Sequence, residues 1–251
     1  MLVKCLPIGS SYEVITAKER YSLWEAESEQ FRKVWPEYNS HGKHSTELFL
    51  ELLPRFSSYQ FLIFDHSIER AVARGRAIPF CWDGSLDDLP RGMDALRLRI
   101  PDDRHPATAL AALAAEVSSD LRGNDLSRLI LQVMAECARA ANLQALVVPV
   151  RPNWKDRYPL IPMEQYANWK REDGLPFDPW MRVHSRLGAS ILRAEEHSLN
   201  IEAPVSSWES WTGMVFPADG AYTFPAGLAP LVVENGVGSY WEPNVWMQHP
   251  L

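Results

Sequence analysis

EVSSDLRGNDLSRLILQVMAECARAANLQALVVPVRPN, residues 116–153, is the most informative stretch of this chain. It passes from an apolar segment through an Arg-Gly turn into an amphipathic helix and then into a second apolar segment. The first N–H groups of a helix lack intrahelical partners, and the helix dipole favours an anion at that end. The unit therefore predicts a phosphorylated ligand held beside a turn between two strands.

The middle of this stretch is predicted to be a helix, because its apolar residues recur at the i, i+3, i+4, i+7 spacing of one buried face. These residues are Leu126, Leu129, Ile130, Val133, Met134, Cys137 and Ala141. Residues 145–150 (ALVVPV) predict a buried strand that loses a ladder bond at Pro149, at an edge or where its neighbours part. Residues 109–117 are rich in Ala and Leu and have helical propensity, so only their context predicts a strand.

The rest of the chain supplies weaker signals of the same mixed architecture. The predicted elements are a helical region over 14–38, a capped helix over 46–53 that stops at Pro54, a hairpin from 59–65 and 71–80, and short strands over 199–203 and 229–233. Helices, a hairpin, a crossover helix and further strands, in that order, predict an α/β fold with a mixed sheet.

The composition excludes several classes of protein. The chain has 251 residues and a net charge of -7 without any block of Lys and Arg, so no nucleic-acid surface is expected. Cys5, Cys81 and Cys137 are scattered and odd in number, which predicts reduced thiols in a cytoplasmic protein, with no disulfide framework and no metal site. No apolar run approaches the ~20 residues of a membrane span. The expectation is one domain over residues 1–251, independent of membranes and nucleic acid.

The strand–turn–helix–strand unit resembles the GNAT acyltransferase superfamily, in which such a unit grips acetyl-CoA. The family's loop motif is [Q/R]-x-x-G-x-[G/A], and the matching residues here are Arg122-Gly-Asn-Asp-Leu-Ser127. Arg122 matches the first position, and Ser127 is a small residue at the last. Asp125 stands where the family has glycine. Its charge would repel a pyrophosphate ~4 Å away by about 1 kcal/mol in water, and by several times that near a protein surface.

Four further strings resemble a GNAT-like subfamily of mostly actinobacterial transferases. They span residues 151–160, 173–180, 208–214 and 242–246, and the resemblance is most specific over residues 60 to 249. It implies a GNAT-like mixed, partly splayed β-sheet flanked by helices. The core would cover about residues 10–170, and a C-terminal family-specific extension, about 171–251, would cover the acceptor side or form a partner surface.

The resemblance also implies a reaction, the transfer of an acyl group from a pantetheine thioester to an amine or hydroxyl of a small molecule. The donor would be acyl-CoA or the phosphopantetheinyl arm of an acyl carrier protein. Asp125 favours the carrier protein, because its arm brings no nucleotide pyrophosphate into the loop. The residues implied to hold the donor are Val117, Ser118, Arg122, Gly123, Asn124, Asp125 and Ser127.

Three residues are candidates for catalysis, each with a structural alternative. Glu116 is a candidate base, or a carboxylate at a strand end that faces solvent or pairs with an arginine. Tyr158 is similar in placement to the family's tyrosine that protonates the departing thiolate, or is an ordinary buried tyrosine. His184 is a candidate base or hydrogen-bonding anchor, or a structural histidine, and His249 has the same two interpretations.

Other residues have equally open roles. Lys155 and Arg157 could hold a carboxylate or belong to a hydrated loop, and Cys137 is expected to pack. Four tryptophans could line an acceptor pocket or belong to the core, namely Trp180, Trp208, Trp211 and Trp246.

Two other functions fit the same residues. A member that has lost catalysis would serve as a binding or assembly module, which the replacement of glycine by Asp125 favours. A thioester decarboxylase or hydrolase would need a histidine-centred site, which His184 could supply. Because one fold hosts many reactions, the resemblance alone does not separate these functions.

Overall fold

The computed structural model describes residue 6, residues 11–121, residue 123 and residues 125–251 of the chain. In these residues, one nine-stranded sheet is flanked by six α-helices. The strands are β1 (Tyr12–Thr16), β2 (Gln60–Asp65), β3 (Arg70–Phe80), β4 (Ala109–Val117), β5 (Ala145–Val150), β6 (Ser190–Pro204), β7 (Gly220–Tyr222), β8 (Leu231–Glu234) and β9 (Val237–His249). The helices are α1 (Tyr21–Arg32), α2 (Leu52–Arg55), α3 (Leu126–Ala140), α4 (Met163–Ala167), α5 (Pro179–Arg186) and α6 (Val205–Thr212).

The sheet is mixed, as the sequence predicts. Its strands follow the order β1-β2-β3-β4-β5-β9-β8-β7, and β6 also pairs with β9. Among the strands in the described residues, only β4 and β5 are parallel, because α3 crosses over between them and returns the chain in the same direction. The one parallel pair thus belongs to the strand–helix–strand unit that dominates the sequence.

Apolar side chains pack on both faces of the sheet. On one face Val133 of α3 lies in a core with Leu110 and Val148. Ala111 and Val147 belong to a second core on the other face. Adjacent residues of β4 and of β5 therefore alternate between the two cores, as the pleat of a strand requires.

Two predicted helices have different bounds in the structure. Residues 14–16 were predicted to be helical but lie in β1, where the β-branched run Val-Ile-Thr pairs with β2. The helix predicted to stop at Pro54 continues to Arg55. A π-helical turn, Glu47–Glu51, comes directly before it. This wider turn precedes the proline, which cannot donate a hydrogen bond to the preceding turn.

Two predictions about the parallel pair are confirmed. The Ala- and Leu-rich residues 109–117 form a strand that pairs with β3 along its length, so tertiary pairing overrides their helical propensity. Pro149 pairs with Trp246 on β9, and on its other side β4 has already separated. The proline thus lies where the neighbouring strands part.

The segment predicted as an extension, residues 171–251, supplies four strands of the same sheet. This segment joins the rest of the sheet through β9, which pairs with residues 146–150 of β5. The sheet is therefore continuous from β1 to β9. Among the described helices, none combines the length and the hydrophobicity needed to cross a bilayer.

Candidate active site

The central feature is an opening between β4 and β5. The two strands pair only over residues 109–111 and 145–147. Beyond these residues β4 follows β3 to Val117, while β5 follows β9 to Val150. Among the described residues, no strand pairs with the backbone groups that face the opening. An extended ligand that carries amide groups could bond to them as an added strand would.

A β-bulge lies where the opening begins. Ala112 pairs with Ala77 and Ala114 pairs with Arg76, so Leu113 has no partner on β3. A bulge bends its strand and redirects the backbone, and such bulges are common next to active sites. The bulge here therefore changes the backbone direction of β4 at the edge of the opening.

The turn between β4 and α3 has two residues in left-handed conformations. Gly123 has a φ of 95° and Asp125 a φ of 55°. Asp125 comes directly before α3, and its carboxylate makes no capping bond to the helix. A glycine would adopt this conformation without steric cost. Two residues predicted to hold the donor, Arg122 and Asn124, lie outside the described residues.

The other residues predicted to hold the donor have different surroundings. Ser118 is buried, its N–H donates to the Val72 carbonyl at 3.0 Å, and its hydroxyl donates to Gln30 Oε1 at 3.3 Å. Val117 packs half-buried against the core on the α3 side. Ser127 lies in the first turn of α3. Ser118 therefore anchors the end of β4, whereas Ser127 lies at the start of the helix beside Asp125.

Glu116 forms a buried ion pair with Arg74. Its carboxylate accepts from Arg74 Nε at 2.5 Å and from Arg74 Nη2 at 2.8 Å. It also accepts from the indole N–H of Trp35 at 2.8 Å. The side chains of Glu116 and Arg74 are 1% and 6% exposed. Of the two interpretations that the sequence left open, the structure shows pairing with an arginine.

Two arginines beside this carboxylate were not identified from the sequence. Arg74 lies over the rings of Trp24 and Phe31, 5.2–5.6 Å from their centroids. Arg76 lies over the Phe49 ring at 4.4 Å. Burial lowers the pKa of Arg76 to about 10, with Arg74 adding to the effect and Glu116 opposing it. Both arginines follow one face of β3, two residues apart, next to β4.

A second buried cluster joins the end of β5 to β9. Arg151 forms an ion pair with Glu242, and its Nη2 donates to the Tyr38 hydroxyl at 3.0 Å. The Tyr240 hydroxyl donates to Glu242 Oε2 at 2.5 Å. Burial is the largest single effect and acts to lower the pKa of Arg151, but Glu242, Tyr38 and Tyr240 together outweigh it and raise the pKa. Burial and Glu242 together raise the pKa of Tyr240 well above its usual value.

One loop connects the two clusters across the opening. Trp35 bonds to Glu116 beside β4, and Tyr38 bonds to Arg151 after β5. The loop that follows α1 therefore covers the splayed strands on the face that carries the charged side chains. Charged and aromatic groups thus surround the opening on this face, as expected for a site that binds a polar molecule.

Tyr158 lies in an aromatic cluster after β5. Its ring contacts Tyr166, Trp169 and Phe177, with centroids 5.0–6.0 Å apart. Its hydroxyl makes no hydrogen bond to any described residue. It is half-buried, so this hydroxyl can donate to a ligand.

Lys155 is buried, in contrast to the hydrated loop considered from the sequence. Its Nζ donates to the carbonyls of Leu228 at 2.5 Å and Tyr158 at 2.8 Å. Burial lowers the pKa of Lys155 to about 8, against the opposing charges of Glu196 and Glu242. Lys155 thus fixes the loop that carries Tyr158, and it is not part of a hydrated loop.

His184 and His249 form a buried pair away from the opening. Nδ1 of His184 lies 2.8 Å from Nε2 of His249. Burial lowers the pKa of His184 well below its usual value, and His249 lowers it further; burial also lowers the pKa of His249 to about 4. His249 pairs with Leu146, about 13 Å along β5 from Val150. The pair therefore lies near the closed end of the parallel strands.

Several packing predictions can also be compared with the structure. Trp208 and Trp246 are fully buried in two separate cores. Of the two roles considered for these tryptophans, packing in the core is therefore the one that the structure shows. Cys137 lies on the buried face of α3, as expected for a packing residue.

A signal for the second cluster was present in the sequence. Arg151 and Glu242 each come directly before a Pro-Asn pair, and each begins one of the strings that carry the resemblance. A charged residue at the end of a buried apolar strand needs a partner. For Arg74 and Arg76 no such signal exists, because alternating charges on a strand usually face solvent.

Comparisons with known proteins agree with this geometry. No protein-family model matches the chain. The chain is 31% identical to the arginine N-acetyltransferase avaD of Aspergillus versicolor, over an alignment that covers 98% of this chain and 96% of that protein.

Two solved structures share the fold. The loading GNATL domain of CurA from Lyngbya majuscula has a TM-score of 0.61 at 16% identity, covering 95% of this chain and 97% of that one. The GphF GNAT-like decarboxylase in complex with isobutyryl-CoA has a TM-score of 0.59 at 17% identity, with 95% and 98% covered. At these identities the two structures show a common fold and leave the reaction open.

Proposed function

The chain belongs to the GNAT superfamily of acyltransferases, and on this premise we propose that it transfers a small acyl group from a pantetheine thioester to the amine of a small polar molecule. The observation that carries the proposal is the opening between β4 and β5, with a bulge at its edge and buried charged side chains on one face. An extended pantetheine arm fits such an opening, because its amides can bond to unpaired backbone groups. The relative's name, arginine N-acetyltransferase, supports an amine as the acceptor.

The reaction has a simple balance. The neutral amine nitrogen attacks the thioester carbonyl carbon, a C–N bond forms, and the C–S bond breaks. The nitrogen loses one proton, and the departing sulfur takes one. In our proposal, backbone N–H groups beside the bulge at Leu113 donate to the carbonyl oxygen while it carries negative charge. Holding amine and thioester together supplies much of the remaining acceleration.

Tyr158 is proposed to give the proton to the sulfur. It follows β5, is half-buried and has a hydroxyl that bonds to no described residue. A positioned acid of this kind contributes about 10²–10⁴-fold to the rate. Glu116 is proposed to act by holding Arg74, because its carboxylate already accepts from Arg74 and Trp35. The role of base that the sequence suggested would require this buried pair to open.

The donor is proposed to be acyl-CoA or a carrier-bound pantetheine arm. The neighbour solved with isobutyryl-CoA supports CoA, and the loading domain of CurA supports a carrier protein. Calorimetry with acetyl-CoA and with a pantetheine thioester lacking the nucleotide distinguishes them. Micromolar acetyl-CoA binding by the wild type means that CoA is the donor. Weak binding that Asp125→Gly restores means that the Asp125 charge excludes the nucleotide, which favours the carrier protein.

The proposed reaction is tested by incubating the protein with acetyl-CoA and a panel of primary amines, and measuring thiol release and acetylated product by mass. Tyr158→Phe should lower kcat by about 10²–10⁴-fold without changing the unfolding midpoint. Tyr222→Phe is the matched control, because Tyr222 lies on the edge strand β7, three strands away from β5, and its hydroxyl donates to the Ala218 carbonyl. Equal rates for both variants would exclude Tyr158 as the acid.

Other outcomes would favour the other functions. Thioester binding without any product is expected of a binding or assembly module. Thiol release without acetylated amine is expected of a hydrolase. A decarboxylase would release CO2 from a carboxyacyl thioester and leave its C–S bond intact. We leave both outside the proposal, because the histidine they need, His184, is paired with His249 about 13 Å along β5 from the splayed end.

A further inference from the structure

A cavity of about 230 Å³ lies between α1 and strands β2 and β3. Its wall combines aromatic rings with polar side chains, including Tyr21, Trp24, Phe49, Gln60, Arg74 and Arg76. The volume is below the ~300–1,000 Å³ of pockets that hold drug-sized ligands, so the cavity fits a molecule of amino-acid size.

The charged groups at this cavity are unbalanced. Arg74 has its counter-charge in Glu116. Arg76 pairs with no carboxylate among the described residues. Its Nη2 donates to the Phe49 carbonyl at 3.3 Å, and its enclosed Nε donates to nothing. Two guanidinium groups and one carboxylate leave one positive charge in excess. The Arg76 side chain is half-buried with an enclosed Nε, so its charge is partly desolvated, and an anion would offset that cost.

A buried amide, that of Gln60, also belongs to the wall of this cavity. Gln60 is fully buried, and its Nε2 donates to the carbonyls of Phe56 at 3.1 Å and Ala77 at 2.6 Å. These two bonds fix the amide orientation, and Gln60 Oε1 is left without a donor. Gln60 Oε1 and Arg76 Nε are both enclosed, so the charged group that the cavity wall offers to a ligand is the rest of the Arg76 guanidinium. A carboxylate complements a guanidinium.

The cavity adjoins the opening between β4 and β5. Arg76 pairs with Ala114, the residue after the bulge, and Arg74 pairs with Glu116. Directly paired residues of antiparallel strands share a face, and neighbouring strands lie about 5 Å apart. A ligand on Arg76 would therefore lie one strand away from the edge where the thioester is proposed to bind.

We propose that this cavity binds the carboxylate of the acceptor through the Arg76 guanidinium, so that the acceptor is an amino acid and not a simple amine. The inference rests on the proposed function for the identity of the ligand as acceptor. A guanidinium binds a carboxylate through charge-assisted hydrogen bonds, which makes Arg76 a residue that determines specificity.

The test compares acceptors that differ only in the carboxylate. Arginine and agmatine form one pair, and lysine and cadaverine form a second, with saturating acetyl-CoA as donor. The wild type should use the amino acids with a kcat/KM about 10- to 100-fold above that of the decarboxylated amines. Arg76→Gln should remove this preference by raising KM for the amino acids, leaving the amines within threefold. Arg76→Lys should retain part of it, and Arg139→Gln, a surface control on α3, should retain all of it.

Two results would overturn the inference. One is a wild type that uses both members of each pair equally, a result that needs no variant to fold. The other is Arg76→Gln raising KM equally for amino acids and amines, which indicates general damage. If no amine is acetylated, the proposed function fails, and calorimetry with the same four probes tests the cavity separately. Arg76-dependent binding of arginine over agmatine would then support the carboxylate site, and equal binding or none would refute it.

Discussion

Replacing Glu116 with glutamine should destabilise the protein strongly, because it leaves Arg74 buried without a counter-charge. The two side chains are 1% and 6% exposed, and two short hydrogen bonds join them. Removing one partner of a buried ion pair costs about 3–5 kcal/mol, most of it the cost of the charge that remains. For a domain of this size, 3 kcal/mol corresponds to roughly 6–12 °C in the unfolding midpoint.

The same reasoning predicts that the intact ion pair contributes much less to the free energy of unfolding than the loss of one partner costs. Replacing both residues, as in Arg74→Met with Glu116→Leu, removes the charges together and should cost no more than about 1 kcal/mol. An exposed pair on α3 supplies the matched control. Glu136 and Arg139 are 31% and 46% exposed, so Glu136→Gln should change the free energy of unfolding by less than about 1 kcal/mol.

Urea unfolding at pH 7 measures the wild type, these three variants and the single changes Arg74→Met and Glu116→Leu, and steady-state kinetics with acetyl-CoA adds a functional readout. If Glu116 positions Arg74, Arg74→Met and Glu116→Gln should lower kcat/KM by similar factors and leave the shape of its pH profile unchanged. The reasoning is refuted if Glu116→Gln is within 1 kcal/mol of the wild type, or if the double variant is as unstable as the two single changes added together. Loss of the acidic limb of the pH profile in Glu116→Gln alone would instead identify Glu116 as the base.

Three further predictions follow from backbone, capping and charge. Residue 125 has a φ of 55°, a conformation that favours glycine and disfavours alanine. Asp125→Gly should therefore raise the free energy of unfolding by roughly 0.5–1 kcal/mol, and Asp125→Ala should lower it. The opposite order of stabilities in urea unfolding would contradict this. Asp178→Ala should lower the free energy of unfolding by about 2 kcal/mol or more. The buried carboxylate of Asp178 caps α5 and also accepts hydrogen bonds from the Trp154 N–H and the Tyr166 hydroxyl. A loss below 0.5 kcal/mol would be inconsistent with this network. Burial lowers the pKa of His249 to about 4 in the folded protein, compared with about 6.5 in the unfolded chain. The contribution of neutral His249 to the free energy of unfolding is therefore complete above pH 6.5. It is lost, by about 3 kcal/mol, as the pH falls from 6.5 towards 4. His249→Gln should flatten that part of the stability profile, and an unchanged slope would show that other groups cause it.

Much of the fold was predictable because its signals are local. The i, i+3, i+4 spacing of apolar residues in α3 reflects one buried face. This spacing predicts the helix whichever elements pack against that face. Pro149 predicted a sheet edge or a place where neighbouring strands part, since it cannot donate to a ladder, and the structure shows the second. The boundaries of α1 and α2 were less predictable. A short β-branched run can serve as strand or helix, and its pairing with β2 decided the outcome at residues 14–16.

The charged groups of the site were predictable only in part. Glu116 was singled out, but its partner Arg74 is 42 residues away in sequence and reaches it through strand register. The pairing of Arg151 with Glu242 spans 91 residues and depends on the pairing of β5 with β9. His184 and His249 illustrate the reverse case. Both were candidates for function by residue type, and the fold pairs them in a buried position away from the splayed strands.

The sequence by itself determined the strand–turn–helix–strand unit, the mixed sheet and the resemblance to the acyltransferase superfamily. These depend on periodicity, turn residues and short strings, which are properties of neighbouring residues. Only the tertiary structure decided that Glu116 is paired, that Lys155 is buried and that Arg76 lines a cavity with no ion-pair partner among the described residues. Whether a charged side chain is solvated, paired or left for a ligand depends on what the rest of the chain brings within a few ångströms of it. Coulomb energy and desolvation act through space, and sequence separation does not enter them.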